Sequence, residues 1–308
     1  MENIYDMIVI GGGPAGYTAA LYAARAGLEV LVLERLSVGG QMALTDVIDN
    51  YPGFDDGVDG FTLGMKMQAG AERFGAKTEY AEVTEVHLTE SVKCIRTTDG
   101  ERYARTVVIA TGANPRELGL AGESDLIGRG LHYCAHCDGR FYKGKTVAVV
   151  GGGNSAVSDA LYLSGLAERV YLIHRRDTLR ATGIYHKPLM EAQNIVFLWD
   201  SAVQDFLVGQ KLEGVLLRNL KTGETQELRM DGLFVSIGRR PATELFWGQL
   251  TLDESGYIVA DETTKTDLEG VYAVGDVRTK ALRQVVTAVG DGAVAAHFAE
   301  EYLHLYGR

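Results

Sequence analysis

Two thiols and two glycine-rich turns are the parts of this 308-residue chain whose types and spacing carry chemistry. Cys134 and Cys137 form a C-x-x-C pair within Leu131-His132-Tyr133-Cys134-Ala135-His136-Cys137-Asp138-Gly139, and an acid follows the second thiol at once. Thiols at this spacing can close a disulfide and exchange two electrons. Zinc is a competing use, but it needs two more ligands. His132 and His136 are near, yet the sequence has no second pair and no H-x3-H element, so no metal is expected. Inert buried thiols are a third reading, although they are rarely paired in this way. Asp138 can donate and remove the proton that a leaving thiolate needs. Its position equally suits a turn or a helix-end cap.

Glycine supplies the second kind of chemistry. Aligning Gly11 on Gly151 matches Gly13 with Gly153 and Gly16 with Ala156, without a gap to the end of the next strand. In the first copy Asp6 to Ile10 reads as a buried strand, Gly11 to Gly16 as a turn, and Pro14 to Ala26 as a helix stopped by Gly27. Val30 to Glu34 is the returning strand. In the second copy Thr146 to Val150, Asn154 to Ala167 and Val170 to Ile173 repeat the pattern. Such a turn brings backbone N–H groups and a positive helix end to one place, where a pyrophosphate fits. A tight turn without a ligand is the bland alternative, and two copies with matched downstream residues argue against it. Gly11, Gly13, Pro14, Ala15 and Gly16 are thus expected to hold one dinucleotide, and Gly151, Gly153, Asn154, Ser155 and Ala156 a second.

The residues that end the returning strands differ. Glu34 can bond ribose hydroxyls and repel an extra phosphate, which suits the unphosphorylated adenosine of FAD. The matching residue is His174, followed by Arg175, Arg176 and Arg180, cations that suit a 2'-phosphate and hence NADPH over NADH. A solvated surface is the competing reading of these arginines. A thioredoxin domain does not account for the dithiol, because the pair precedes a dinucleotide-binding strand. A hydride arrives as two electrons and a disulfide takes two, so a flavin is the natural intermediary between NADPH and the pair.

Length and composition agree with a folded two-domain chain: 308 residues, 46% hydrophobic and 23% charged. A net charge of -11 opposes nucleic acid or anionic lipid as partner. Met7 to Ala24 carries no charge, but Gly11-Gly12-Gly13-Pro14 interrupts it after four apolar residues, so no membrane span is expected. Three cysteines are too few for a disulfide framework, and Met1 to Asp6 is acidic where a secretory signal is basic, so a cytoplasmic location is expected.

Together these residues resemble the low-molecular-weight, bacterial-type thioredoxin reductase family. The resemblance adds Glu34-Arg35, Gly39-Gly40-Gln41-Met42, Asn50-Tyr51-Pro52-Gly53, Ala110-Thr111-Gly112, Gly275-Asp276, Arg283-Gln284, Thr287-Ala288 and Asp291-Gly292. It implies that Arg35, Gly40, Gln41, Asn50, Thr111, Gly112, Gly275, Asp276, Arg283 and Gln284 belong to the FAD site. It implies Cys137 as the flavin-side thiol, Cys134 as the thiol that attacks substrate, and Asp138 as the acid. It implies thioredoxin or a thioredoxin-like protein as substrate, and a homodimer. A flavoprotein that reduces a peroxiredoxin and a ferredoxin-fed or redox-sensing flavoprotein are the alternatives. The latter lose the second glycine loop or the arginines, and this sequence has both. The departures are local: His136 stands where the family has Thr or another small residue, and His132 where it has Ser. A histidine inside the pair can stabilise the attacking thiolate and make the disulfide more oxidising. Arg239-Arg240-Pro241-Ala242 also departs from the family's usual small and amide residues.

The elements that must position these groups predict an α/β fold of two Rossmann-like, three-layer dinucleotide-binding domains. An NADPH domain, 115–243, is inserted into a discontinuous FAD domain, 1–114 and 244–308. Residues 78 to 109 read as an antiparallel meander, and a helix is expected from Arg283. Because the dithiol and the second glycine loop share one domain, a rotation between two half-reactions is expected.

Overall fold

The computed structural model describes residues 3–45 and 47–306. The chain forms two compact units, residues 1–114 with 240–308, and residues 115–239. In the first unit, Ile4–Ile10 is a run of apolar residues that pairs parallel with Val30–Glu34 and with Gly100–Ile109. Such runs belong to strands covered on both faces, and the packing here bears that out. Met7, Val9, Val30, Val32 and Val108 face one cluster, which holds Ala19, Ala20 and Ala23 of helix Pro14–Arg25 and Ala295, Ala296 and Ala299 of helix Val285–Tyr306. Ile8, Ile10, Leu31, Leu33, Val107 and Ile109 face the opposite cluster with Phe246 and Ile258. Period-two alternation thus builds a layered unit, and each fully buried Val, Leu or Ile contributes about 1.5–3 kcal/mol.

The region 78–109 divides where the sequence suggested one meander. Lys77–Tyr80 extends the parallel side beside Val30–Glu34, whereas Val83–His87, Lys93–Thr97 and Gly100–Ile109 run antiparallel. The cause is the preceding helix Gly60–Glu72, capped by Asp59, whose carboxylate accepts from the Thr62 N–H at 2.7 Å. A crossover helix returns the chain parallel, while short turns return it antiparallel.

In the second unit Ile195–Leu198, Arg169–Ile173, Thr146–Val150, Gly232–Val235 and Leu131–His132 lie side by side, all parallel. Val147 and Val149 pack under Val157, Ala160 and Leu163 of helix Asn154–Ser164, whose last residue lies three before the expected limit. Ala148 and Val150 pack against Phe206, Leu212, Val215 and Leu217 of a three-stranded antiparallel sheet. The edge strand Leu131–His132 leads directly to the C-x-x-C turn. The two connecting segments, Ala113–Pro115 and Arg239–Pro241, pair with each other as a short ribbon.

Candidate functional site

The first glycine loop is built by close approach. A Cβ on Gly11 would lie 2.5 Å from the Ala110 carbonyl oxygen, and Gly11 holds φ at 109°, a left-handed conformation that favours glycine. A Cβ on Gly16 would lie 2.0 Å from the Gly11 carbonyl oxygen, so the helix can start this near the loop only without a side chain. At Gly13, by contrast, a Cβ would meet nothing within 4 Å. Helix Pro14–Arg25 has no side-chain cap, which leaves its first-turn N–H groups directed at that open side. The Glu34 carboxylate accepts from the Gly12 N–H at 2.7 Å and from the Leu36 N–H at 3.0 Å, so the strand-end acid adjoins the loop.

The other expected first-site residues fall into three groups. Gly39 donates its N–H to the Gly12 carbonyl at 2.8 Å, and a Cβ on Gly40 would lie 3.6 Å from the Gly13 Cα, so this segment borders the loop. Gly275 packs there too: its added Cβ would lie 3.1 Å from the Ala15 methyl. Its N–H donates to the buried Asp291 carboxylate at 2.9 Å, which also accepts from Arg278 Nε at 2.9 Å and Lys280 Nζ at 2.8 Å. Elsewhere Asn50 donates to Gln284 at 3.0 Å, Gln41 donates to Asn114 at 2.9 Å, and the Thr111 hydroxyl donates to the Ala242 carbonyl at 2.7 Å. Gly112 has φ 72°. Arg283 covers the Tyr257 ring at 4.0 Å and donates to the Arg278 carbonyl at 3.1 Å; Asp276 lies in the short helical turn Gly275–Val277. Arg35 points away from these groups, to Glu82 at 3.5 Å on an exposed surface.

The second loop repeats the backbone with other side chains. Gly151 holds φ at 145°, and its added Cβ would lie 2.4 Å from the Ser236 carbonyl oxygen. Gly153 faces open space, and helix Asn154–Ser164 also lacks a side-chain cap. Ala156 is buried, Ser155 is exposed, and the Asn154 side-chain oxygen accepts from the Thr182 N–H at 2.9 Å. The Arg180 N–H donates to the Gly152 carbonyl at 2.7 Å, which fixes that segment beside the loop, and Arg175, Arg176 and Arg180 are all exposed. His174 differs from its arginine neighbours. Its ring is buried against Gly152, where a Cβ would lie 2.2 Å from Cε1, and Nε2 faces the Thr178 carbonyl at 3.0 Å. Burial and then the three arginines hold the imidazole below its ordinary range, against the opposing pull of the Thr178 carbonyl. His174 is therefore a neutral wall at neutral pH, and the arginines alone carry the charge.

Cys134 and Cys137 are joined as a disulfide, with Cα atoms 5.3 Å apart. Cys134 precedes the single turn Ala135–Asp138, and the Cys137 N–H lies 3.2 Å from Cys134 Sγ. A donor at that distance favours a thiolate on Cys134 once the bridge is reduced. The Asp138 carboxylate lies 3.2 Å from His132 Nδ1 and is largely buried. His136 stacks on Tyr162 at 4.3 Å between centroids, 3.7 Å from Asp159, which accepts from the Ser236 hydroxyl at 2.5 Å. Sequence reasoning missed Asp159, Tyr142 and the buried Arg278 and Lys280, whose partners come from distant segments. The described residues include no helix long and apolar enough to cross a membrane.

Both loops therefore fit a dinucleotide, since each leaves open space in front of an uncapped helix start. The profile of the pyridine nucleotide-disulphide oxidoreductase family matches residues 5–292. A thioredoxin reductase of Listeria monocytogenes is 45% identical over 98% of this chain and 95% of its own length. One from Streptomyces coelicolor is 46% identical over 98% and 95%. The crystal structure of thioredoxin reductase from Streptococcus pyogenes superposes with a TM-score of 0.92 at 42% identity, covering 99% of this chain and all of that one. This chain belongs to the thioredoxin reductases of the pyridine nucleotide-disulphide oxidoreductase family.

Proposed function

We propose that this protein moves electrons from NADPH, through FAD, to its own Cys134–Cys137 disulfide and on to oxidised thioredoxin. The observation that carries the reading is a closed C-x-x-C disulfide in the same folded unit as a glycine loop flanked by exposed arginines. FAD and NADPH are the cofactors, and bound FAD supplies the exchange between hydride and paired thiol electrons.

The first unit, with Gly11, Gly13, Pro14, Ala15, Gly16, Glu34, Gly40, Gln41, Asn50, Thr111, Gly112, Gly275, Asp276, Arg283 and Gln284, holds FAD, whereas Arg35 turns to Glu82 and is left out of the site. The second unit holds NADPH, with Gly151, Gly153, Asn154, Ser155 and Ala156 at the pyrophosphate and Arg175, Arg176 and Arg180 at the 2'-phosphate. His174 gives that pocket a neutral side. In the reduced pair, Cys134 attacks the thioredoxin disulfide to form a mixed disulfide. Cys137 then displaces it and re-forms the bridge, and Asp138 carries protons between enzyme and substrate sulfurs. The second unit rotates about its two connections between the two half-reactions. A cytoplasmic location and a homodimer complete the reading.

NADPH oxidation coupled to oxidised thioredoxin tests it. Turnover is expected with wild-type protein and is lost in Cys137→Ser. Undiminished turnover in that variant rules the reading out, and so does a purified protein without a flavin band.

A further inference from the structure

His132 ends the edge strand Leu131–His132, two residues before the dithiol, and only 7% of it is exposed. Its ring lies flat against Phe234 at 5.2 Å between centroids, and each nitrogen faces one partner. Nδ1 is 3.2 Å from the Asp138 carboxylate, and Nε2 is 2.6 Å from the Tyr142 hydroxyl. Behind Tyr142 stand Asp231, whose carboxylate accepts from the Thr146 N–H at 3.0 Å, and Lys145, with Nζ 5.5 Å from the Tyr142 ring centroid.

This chain of contacts selects one tautomer. Burial, reinforced by the negative charges of Asp138 and Asp231, pushes the Tyr142 phenol up to about 12, so its hydroxyl keeps its proton at neutral pH. A protonated phenol can donate to Nε2. Nδ1 then carries the ring's hydrogen and donates it to the Asp138 carboxylate oxygen that faces it at 3.2 Å. The reverse tautomer would set a lone pair against a carboxylate. A histidine held at both nitrogens and stacked on Phe234 cannot swing, so the carboxylate oxygen that it grips is fixed as well.

We infer that His132 is a positioning residue, which through Nδ1–H orients Asp138 for proton exchange with the dithiol, its tautomer set by Tyr142. The inference rests on the reading of Asp138 as the proton carrier. In the step concerned, Cys134 sulfur bonds to one thioredoxin sulfur and the thioredoxin S–S bond breaks. The Cys134 thiol proton passes to the Asp138 carboxylate, which then gives it to the leaving thiolate. Cys137 sulfur then displaces the second thioredoxin thiolate from Cys134. Asp138 passes the enzyme thiol protons to the two product thiols, so two electrons and two protons move together. Removing the Nδ1–H donor leaves the Asp138 carboxylate without the partner that fixes its orientation.

The test is single-turnover reduction of oxidised thioredoxin by NADPH-reduced holoenzyme, read across a range from about pH 6 to 9. His132→Ala is expected to slow the step about tenfold and to alter the shape of its pH profile. His132→Asn, whose amide nitrogen takes the place of Nδ1, is expected to recover most of the rate. Asp138→Asn is expected to be at least as slow, with no further loss on adding His132→Ala. Tyr142→Phe carries the test if the alanine variant does not fold: the ring remains, the hydroxyl goes, and a loss of about threefold is expected. A His132→Ala enzyme with normal rate and profile overturns the inference, as do additive losses with Asp138→Asn or an asparagine variant no better than alanine. A normal rate in Asp138→Asn alone would instead overturn the reading of Asp138.

Discussion

The two glycine loops share one backbone plan and differ where a side chain can meet it. At the third motif position the first loop has Gly16, whose added Cβ would lie 2.0 Å from the Gly11 carbonyl oxygen, while the second has Ala156, fully buried. At the strand end, Glu34 accepts from the Gly12 N–H at 2.7 Å, and His174 instead lays a neutral ring against Gly152. A duplicated strand, turn and helix thus repeats one open side before an uncapped helix start. On the proposed function, selection between nucleotides falls to the residues at and after the end of the second strand.

The sharpest break in the comparison is steric. Gly16→Ala drives a methyl group into backbone and is expected to cost about 1–3 kcal/mol or more, with loss of bound FAD. The mirror change, Ala156→Gly, is expected to cost about 1 kcal/mol and to leave FAD in place. Thermal melts and the flavin band of the purified variants report both. Next comes charge. Arg175→Ala combined with Arg176→Ala is expected to raise the KM for NADPH about tenfold to a hundredfold while that for NADH stays nearly constant. Steady-state kinetics with both nucleotides decide this. Glu34→Gln weakens the acceptor for Gly12 N–H and is expected to reduce FAD affinity by about tenfold, without changing the NADPH preference. Dialysis against flavin-free buffer measures it.

Acid separates the two units more gently. His174 titrates below its ordinary 6.5 in the folded chain, so the unfolded chain binds the proton first. The second unit therefore loses stability as pH falls below about 6.5. In the first unit, burial raises Asp291 but hydrogen bonds from Arg278 and Lys280 outweigh it, leaving a net shift below the ordinary 3.8. That contribution is complete above pH 3.8 and is lost only as pH falls through the lower folded value. Trp199 lies in the second unit and Trp247 in the first. Between about pH 7 and 5 the fluorescence melt of a Trp247→Phe protein should move down, and that of a Trp199→Phe protein should stay.

What was legible in the sequence was local. Glycines at fixed offsets, an acid at the end of a strand, and two thiols three residues apart are each set by neighbours in the chain. What was not legible depends on the third dimension. His174 reads as one more cation beside three arginines, and only its packing on Gly152 removes the charge. Asp138 reads as a lone acid, whereas the structure binds it to His132 and, through that ring, to Tyr142. Lys77–Tyr80 has the composition of the meander that follows it, yet the helix before it assigns it to the parallel side. The meander Ser201–Val208, Leu212–Asn219 and Thr225–Arg229 escaped notice because its inward residues are spread over three separate strands.

Electron counting asks most directly whether the pair at 134 and 137 is the terminal acceptor inside the chain. In an anaerobic titration of the oxidised holoenzyme, about two equivalents of NADPH per chain should be consumed, one by the flavin and one by the disulfide. The Cys134→Ser, Cys137→Ser protein should consume about one. Equal uptake by both proteins would contradict the electron path assigned here.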